Sequence, residues 1–273
     1  MTIKFRKMHG LGNDFVIFDN RFKRADSAKK GIAKIADRRL GIGCDQVIFM
    51  ESAKGEGDIF LDMYNADGSA LEACGNGTRC VAHLLMQETG EEECLIETVA
   101  GLLHCSQFED GIIQADMGAP RLNWSEIPLS EDRDTLNLGI GDGDTLENPV
   151  AVNMGNPHCV FFVGDVEKMD IEALGPSVER NSLFPQRTNV EFAQILSPDK
   201  IRMRVWERGT GVTMACGSGA CAAIVAAVRR GLTGRRVEIV LDGGSLYLEW
   251  RESDGHVLMS GPVTDVFKGI MDD

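Results

Sequence analysis

Two cysteines of this 273-residue chain lie in nearly the same local sequence. Cys74 belongs to Ala-Cys-Gly-Asn-Gly and Cys216 to Ala-Cys-Gly-Ser-Gly, and an apolar run typical of a buried helix follows each motif. We expect each thiol at the start of a helix, where unpaired backbone amides and the helix dipole lower the pKa of a thiol. Both cysteines are therefore candidates for general acid–base catalysis.

A helix start of this kind also binds anions, and the adjacent glycines let a ligand approach the backbone closely. If the two helix starts faced each other across a cleft, both would hold one carboxylate, with the thiols on opposite sides of the bound molecule. A thiolate on one side would remove the α-proton, and a thiol on the other side would deliver a proton. The paired motifs thus predict inversion of the carbon next to a carboxylate, with the amides stabilising the enolate-like charge.

An internal repeat runs through the chain with an offset of about half its length. The two cysteine motifs are 142 positions apart, and two further matches recur at an offset of 143. In each match a carboxamide residue precedes an apolar, β-prone stretch. The matches are Gly12-Asn13 with Gly155-Asn156, and Gln46-Val47 with Asn189-Val190.

The repeat predicts an α/β (α+β) protein of two pseudo-symmetric domains. We place the first domain at residues 1–118 plus 263–273, with Cys74, and the second at residues 119–262, with Cys216. Short β-prone runs surround one strongly apolar helix in each half, so we expect a mixed β-sheet or barrel curled round a central hydrophobic helix. Residues 118–149 are rich in turn residues and suit a boundary, and the acidic Gly-Asp-Gly-Asp at 141–144 lacks the spacing of a calcium loop.

The composition narrows the class of partner. A formal net charge of −14 argues against binding nucleic acid or an anionic membrane, since both select a basic surface, and favours a small-molecule substrate. The sequence has neither an apolar run of about 18 residues nor a signal-peptide pattern, so we expect a cytoplasmic protein with reduced thiols. Cys80-x-x-His83 has a zinc-like spacing and His158 adjoins Cys159, but no second ligand pair follows at the usual distance, and no metal is expected.

Five motifs, spread over nearly the whole chain, resemble those of the diaminopimelate epimerase family. They are MHGLGNDFVIFD, YNADGSALEACGNGTRC, MGNPHCV, RTNVEFAQ and WERGTGVTMACGSGACA, in this order. The resemblance implies an enzyme that interconverts L,L- and meso-diaminopimelate for lysine and peptidoglycan precursors. It further implies a homodimer, a catalysis without pyridoxal phosphate, metal or any other cofactor, and an active site between two pseudo-symmetric domains.

The same resemblance implies a role for each motif residue. Cys74 and Cys216 become the acid–base pair, and His158 and Glu207 become a polar pair near the reacting centre that engages the ammonium and stabilises charge. The carboxylate cradle at the helix starts consists of Gly75, Asn76, Gly217 and Ser218. The residues that orient the polar groups of the substrate are Asn13, Gln46, Asn65, Asn156, Asn189 and Arg208, of which Arg208 suits a bidentate grip on the distal carboxylate. The family usually has Glu where this chain has Val212.

Two other functions stay open at this point. A proline or hydroxyproline racemase uses the same two-cysteine logic, although a compact imino acid has no second amino-carboxylate end for the polar residues to bind. A metal-binding or redox-sensing thiol protein without turnover is the other, since a Cys74–Cys216 disulfide forms if the thiols approach closely. The remaining cysteines are expected to be buried and structural: Cys44, Cys80, Cys94, Cys105, Cys159 and Cys221.

Overall fold

The computed structural model describes residues 2–108, 111–141 and 146–272. The chain divides into two compact units: unit 1 comprises Met1–Asp116 and Gly261–Asp273, and unit 2 comprises Met117–Ser260. Most of the acidic turn predicted at residues 141–144 lies outside the described residues.

Unit 1 contains a mixed ladder of strands in which β5 is a short side branch. Its order is β1-β2-β3-β4-β6-β7-β8, where β2–β3 and β4–β6 are parallel and the other pairs are antiparallel. Both β2 and β3 read as continuous apolar runs because they are buried on both faces. The strands are β1 (Thr2–Gly10), β2 (Asn13–Asp19), β3 (Gln46–Ser52), β4 (Ile59–Asn65), β5 (Ala70–Leu71), β6 (Glu93–Thr98), β7 (Gly101–Gln107) and β8 (Ile112–Asp116).

The helices of unit 1 lie on the two faces of this ladder. The central helix, α2 (Gly75–Thr89), is buried on nearly every side over its first three turns and contacts β1, β6, β7 and β8. It ends at Gly90, whose φ of 78° is the left-handed cap that glycine supplies. A short 3-10 turn and α1 (Ile32–Ala36) cover the other face with a separate apolar cluster.

Unit 2 repeats this architecture. Its ladder runs β9-β10-β11-β12-β14-β15-β16, with β13 as the side branch, and β10–β11 and β12–β14 are the parallel pairs. The strands are β9 (Val150–Asn153), β10 (Pro157–Phe162), β11 (Asn189–Ser197), β12 (Lys200–Glu207), β13 (Gly211–Val212), β14 (Arg236–Leu241), β15 (Gly244–Trp250) and β16 (Val257–Pro262). The all-apolar α4 (Gly217–Arg229) is the central helix, and α3 (Ile171–Glu179) packs outside.

Residue by residue, the two ladders share one register. Phe15 pairs with Gln46 between β2 and β3, and His158 pairs with Asn189, 143 positions later, between β10 and β11. The predicted α/β fold of two pseudo-symmetric domains, each with a sheet round a hydrophobic helix, is therefore confirmed.

Two segments complete the units. The last strand, β17 (Thr264–Asp272), pairs antiparallel with β1 along the length of both. The turn-rich residues that follow position 117 contribute Ile127, Leu129, Leu138 and Leu146 to the core of unit 2, so they are packed chain rather than an open linker. In the described residues, no helix has the length and apolarity needed to cross a membrane.

Candidate active site

Each of the two motif cysteines is the N-cap residue of a central helix. Cys74 precedes α2 with φ −146° and ψ 108°, and Cys216 precedes α4 with φ −121° and ψ 112°. The Cys74 Sγ accepts a hydrogen bond from the Gly77 amide at 3.5 Å, and the Cys216 Sγ accepts one from the Gly219 amide at 3.4 Å. An amide that donates to sulfur favours the thiolate, so this contact lowers the pKa of each thiol and opposes the effect of burial.

The second glycine of each motif is required by what lies beneath the helix start. A Cβ atom on Gly77 would lie 2.7 Å from Ile48 Cδ1, and one on Gly219 would lie 2.8 Å from Glu191 Oε1. A side chain at either position would therefore force the buried side chain beneath it to move. The amides of the first two helical residues, Gly75 and Asn76 in one unit and Gly217 and Ser218 in the other, have no partner within the helix and can bind an anion.

In unit 1, a carboxamide cluster surrounds Cys74. Asn13 lies at the start of β2, and its Oδ1 accepts from the Cys74 thiol at 3.7 Å and from Asn76 Nδ2 at 3.2 Å. The other end of the Asn13 amide donates to Asp45 at 3.1 Å. The structure therefore brings Asn13, Cys74 and Asn76 together and fixes the orientation of the Asn13 side chain.

The neighbouring pair Gln46 and Asn65 lies on adjacent strands. They are cross-strand partners of β3 and β4, and the Asn65 Nδ2 donates to Ser69 Oγ at 3.1 Å. The Gln46 Oε1 is buried and has no hydrogen-bond partner among the described residues. A buried carbonyl oxygen without a donor is costly, and a ligand that brings an N–H group would satisfy it.

Arg79 is a cation that the sequence reasoning missed. It is fully buried in α2, and its guanidinium donates to Asn76 Oδ1 at 3.0 Å. The signal was a charged residue inside an otherwise apolar helix, because such a residue is retained only where it has polar partners.

In unit 2, a chain of polar side chains lies under Cys216. Both His158 and Glu191 are fully buried, and His158 Nδ1 lies 2.7 Å from Glu191 Oε1. The other ring nitrogen, Nε2, lies 2.8 Å from Asn156 Oδ1. Glu191 was also missed, although the repeat offers a signal: at the offset of 143 it matches Ile48, so an ionisable residue replaces an apolar one in a buried strand.

Glu207 is the residue of unit 2 that contacts the reactive thiol. Its carboxylate accepts hydrogen bonds from the Thr213 hydroxyl and the Cys216 thiol. Burial raises the pKa of Glu207 above its ordinary value, although these bonds and the charge of His158 oppose the shift. Burial, together with the charges of Glu207 and Glu191, raises the pKa of the Cys216 thiol well above its ordinary value. Cys216 is thus favoured as a thiol, ready to donate a proton.

The last two predicted residues of unit 2 behave differently from each other. The buried Asn189 donates to the Pro157 carbonyl at 3.0 Å and accepts from the Arg208 amide at 2.9 Å, so its side chain ties two loops together. Arg208 is exposed, and one guanidinium nitrogen donates to the Gln186 carbonyl at 3.1 Å. The rest of its planar fork remains available for a carboxylate.

The remaining cysteines lie in apolar surroundings. Burial raises the pKa of Cys44 to about 11 and that of Cys80 to about 12. Within the described part of the chain, no group of three or more His, Cys, Asp or Glu side chains is arranged to hold a metal ion.

Val212 lies in β13 opposite Trp206 and is 39% exposed. The loop before Cys216 is held instead by the hydrogen bond from Thr213 to Glu207. Its anchor is thus independent of the residue at position 212.

The chain matches known proteins over nearly its whole length. The family model of diaminopimelate epimerase matches residues 5–123 and 150–266. The diaminopimelate epimerase of Acidiphilium cryptum is 54% identical over 268 residues, which cover 98% of this chain and 96% of that protein. The one from Rhodospirillum centenum is 53% identical over 270 residues, covering 98% and 92%.

This chain belongs to the diaminopimelate epimerase family. The predicted family is confirmed, and the protein is an enzyme of the isomerase class, an epimerase. Among solved structures, a hydroxyproline epimerase from Agrobacterium vitis with bound trans-4-hydroxy-L-proline has a TM-score of 0.71 at 14% identity, covering 100% of this chain and 93% of that one. At that identity the likeness shows the fold alone, so the diaminopimelate epimerase family shares its architecture with enzymes of other substrates.

Proposed function

We propose that this epimerase interconverts L,L- and meso-diaminopimelate with Cys74 and Cys216 as its two proton carriers. The observation that carries the proposal is the duplicated cap, in which a thiol accepts an amide hydrogen bond at the start of a central helix in each unit. The names of the relatives, which are about half identical to this chain, support the substrate.

The reaction needs only proton transfers. One cysteine, as thiolate, takes the proton from the α-carbon, and the electron pair of the broken C–H bond delocalises onto the carboxylate. The other cysteine, as thiol, gives its proton to the opposite face of the same carbon and becomes the thiolate. The reverse reaction exchanges the roles, so the enzyme returns to its starting state after one turnover in each direction.

The helix-start amides stabilise the transient charge. Carboxylate oxygens that accept from amides of Gly75, Asn76, Gly217 and Ser218 gain negative charge as the proton leaves, and preorganised donors are the strongest electrostatic help available.

The other polar groups recognise the remaining ends of the substrate. Arg208 offers a planar fork to the distal carboxylate. Carboxamide oxygens such as Gln46 Oε1, which has no donor among the described residues, suit an ammonium group. Glu207 holds the Cys216 thiol and engages the ammonium at the reacting centre. A compact imino acid would leave several of these groups unsatisfied, which disfavours a proline or hydroxyproline racemase.

The cellular setting follows from the family. We place the reaction in the synthesis of lysine and peptidoglycan precursors, with diaminopimelate as small-molecule partner and without cofactor. The cytoplasmic location and the homodimeric state stay predictions.

Isotope exchange tests the proposal directly. The protein is incubated in deuterated water with L,L-diaminopimelate, with L-proline and with trans-4-hydroxy-L-proline, and deuterium at the α-carbon is measured by mass spectrometry. We expect deuterium and the meso isomer from diaminopimelate alone. Exchange on proline but not on diaminopimelate would reverse the substrate assignment. No exchange on any amino acid, together with stoichiometric zinc or iron in the reduced protein, would favour a thiol protein without turnover.

A further inference from the structure

The polar chain under Cys216 contains a carboxylate with no assigned role. Glu191 lies in the interior of β11 and is fully buried, and its Oε2 atom has no hydrogen-bond partner in the described part of the chain. Its other oxygen faces His158 Nδ1. A buried carboxylate with a single partner is expensive to maintain, and an ionised one requires a cation beside it.

The geometry of His158 identifies that cation. A carboxylate oxygen and an amide carbonyl oxygen act as hydrogen-bond acceptors, and His158 faces one with each ring nitrogen, at 2.7 Å to Glu191 and 2.8 Å to Asn156. With an acceptor at each ring nitrogen, both contacts are hydrogen bonds only if both nitrogens donate, that is, if the ring carries two protons. Glu191 and His158 are both fully buried, and their contact is an ion pair when the ring is doubly protonated.

The proton on Nε2 has a further consequence for Asn156. Because the Oδ1 atom accepts from the imidazolium, the amide cannot rotate without placing its NH₂ group against an N–H donor. The Nδ2 end is therefore held in the position where it can donate to a substrate oxygen.

We propose that Glu191 is a positioning residue, which holds His158 as an imidazolium and through it fixes the Asn156 amide with its donor end available to the substrate. The part that concerns the substrate rests on the proposed function, whereas the ring protonation does not. Asn156 then acts as an oriented donor and His158 as its anchor.

The ionisable groups around the pair are consistent with this role. From α4 and its cap, Cys216 feels the charge of Glu191, and from β12 the carboxyl of Glu207 feels the charge of His158. The pair has no net charge, so it orients Asn156 without adding a charge to the acid–base site. Glu207 contacts the Cys216 thiol directly, whereas Glu191 contacts His158 and acts through it.

Nitrogen NMR of the full-length labelled protein reads the ring directly. The chain has five histidines, and His158→Gln assigns the signal of interest. We expect both ring nitrogens of His158 to be protonated in the unaltered protein. Glu191→Gln keeps the shape but removes the charge, and should give a neutral ring with one protonated nitrogen. Glu191→Asp keeps the charge and should retain the doubly protonated ring.

A neutral His158 in the unaltered protein would overturn the proposal without any variant having to fold. So would a ring that stays doubly protonated in Glu191→Gln. The matched control is Glu51→Gln, which removes another buried carboxylate, in unit 1, and should leave the His158 signals in place.

Kinetics test the link to the substrate. We expect Glu191→Gln to lower kcat/KM for diaminopimelate by about 10- to 100-fold, as is typical when the partner that orients a functional group is lost. Glu51→Gln should stay within about twofold, because it lies outside both half-sites.

In a His158→Gln background, Glu191→Gln should lower kcat/KM by less than about a further threefold, since both changes break the same chain of contacts from Glu191 to Asn156. Fully additive losses would show that Glu191 acts by another route. If diaminopimelate is not a substrate, the proposed function fails while the NMR result still decides the state of the ring.

Discussion

The half-site of Cys74 in unit 1 and that of Cys216 in unit 2 share their backbone geometry but differ in the side chains around the thiol. At both helix starts a cysteine caps the helix and accepts from the glycine amide three residues later. Beneath Cys74 the sheet presents Phe15 and Ile48, whereas the matching residues of unit 2 are His158 and Glu191. The duplication therefore preserved the capping thiol and the amide that donates to it, whereas the side chains beneath the helix starts diverged.

The central helices also differ, but here the buried charged residue lies in unit 1 and the apolar one in unit 2. The helix behind Cys74 contains the buried cation Arg79, and the residue 142 positions later is the apolar Cys221. Cys74 is half-buried next to carboxamides, while Cys216 is buried next to Glu207, which raises its pKa. In the proposed inversion, which needs one base and one acid at a time, the raised pKa favours Cys216 as the thiol.

The largest effect expected is the loss of either thiol. Cys74→Ala and Cys216→Ala should each lower epimerisation by about 10⁴-fold or more, because each direction needs both a base and an acid. The measurement is the rate of meso-diaminopimelate formation and of its reverse. Cys221→Ala, which removes a cysteine without a proposed role, serves as control. Substantial turnover in either single mutant would refute the two-thiol scheme.

A second prediction concerns the residue that raises the pKa of Cys216. Glu207→Gln removes a negative charge beside the thiol, so the pKa of Cys216 should fall and its alkylation by iodoacetamide at neutral pH should accelerate about tenfold. Epimerisation should nevertheless fall by about 10²-fold, since a more acidic Cys216 is a weaker base in the reverse direction and the carboxylate proposed to engage the ammonium is lost. Peptide mass spectrometry measures the alkylation of each cysteine separately.

Cys74 provides the internal control for that experiment. Its alkylation should be faster than that of Cys216 in the unaltered protein and should not change in Glu207→Gln. Equal acceleration at both cysteines would indicate a general loosening of the fold instead of a local electrostatic effect.

The sequence predicts the repeated features well and the singular ones poorly. Cys74 and Cys216 are found by their matching contexts, and the apolar periodicity predicts the central helices. Glu191 and Arg79 each occur in one unit alone, so the repeat gives no template for them, and the partner of Glu191 comes from a strand distant in sequence. The residue pattern at 27–39 favours an amphipathic helix, yet the structure has a 3-10 turn and a five-residue helix there, because Gly31 interrupts the segment with a non-helical backbone.

A third prediction compares the units under acid. In unit 1, the pKa of Glu51 and that of Asp14 are both lowered to about 2, although burial alone would raise them. At Glu51 the cause is hydrogen bonds from lysines and Asn20, and at Asp14 it is hydrogen bonds from Arg38 and a lysine. A lowered pKa stabilises the fold above the ordinary value, and that stability is lost as the pH falls from about 4.5 to 2, at about 2 to 3 kcal/mol each. Glu207 in unit 2 has a raised pKa, so its protonation in acid does not destabilise the fold.

Hydrogen exchange at about pH 3 should therefore expose the amides of β2 and β3 before those of β10 and β11. Glu51→Gln removes one of the two acid-sensitive carboxylates, so it should weaken the pH dependence of unit 1 and leave unit 2 unchanged. Earlier exchange in unit 2 would contradict the assignment.

The smallest effect is expected at Val212, where the family usually has Glu. Its side chain is 39% exposed in the short β13, and the loop before Cys216 is anchored by Thr213 on Glu207 and not by residue 212. Val212→Glu should change kcat/KM by less than about threefold, because an exposed charge is screened by solvent. Thr213→Val, one residue on, removes the hydroxyl that holds Glu207 and should cost about tenfold. A large gain from Val212→Glu would mean that a carboxylate at 212 adds a second anchor to the Cys216 half-site, and the asymmetry between the half-sites would then depend on the loop as well as on the buried pair beneath it.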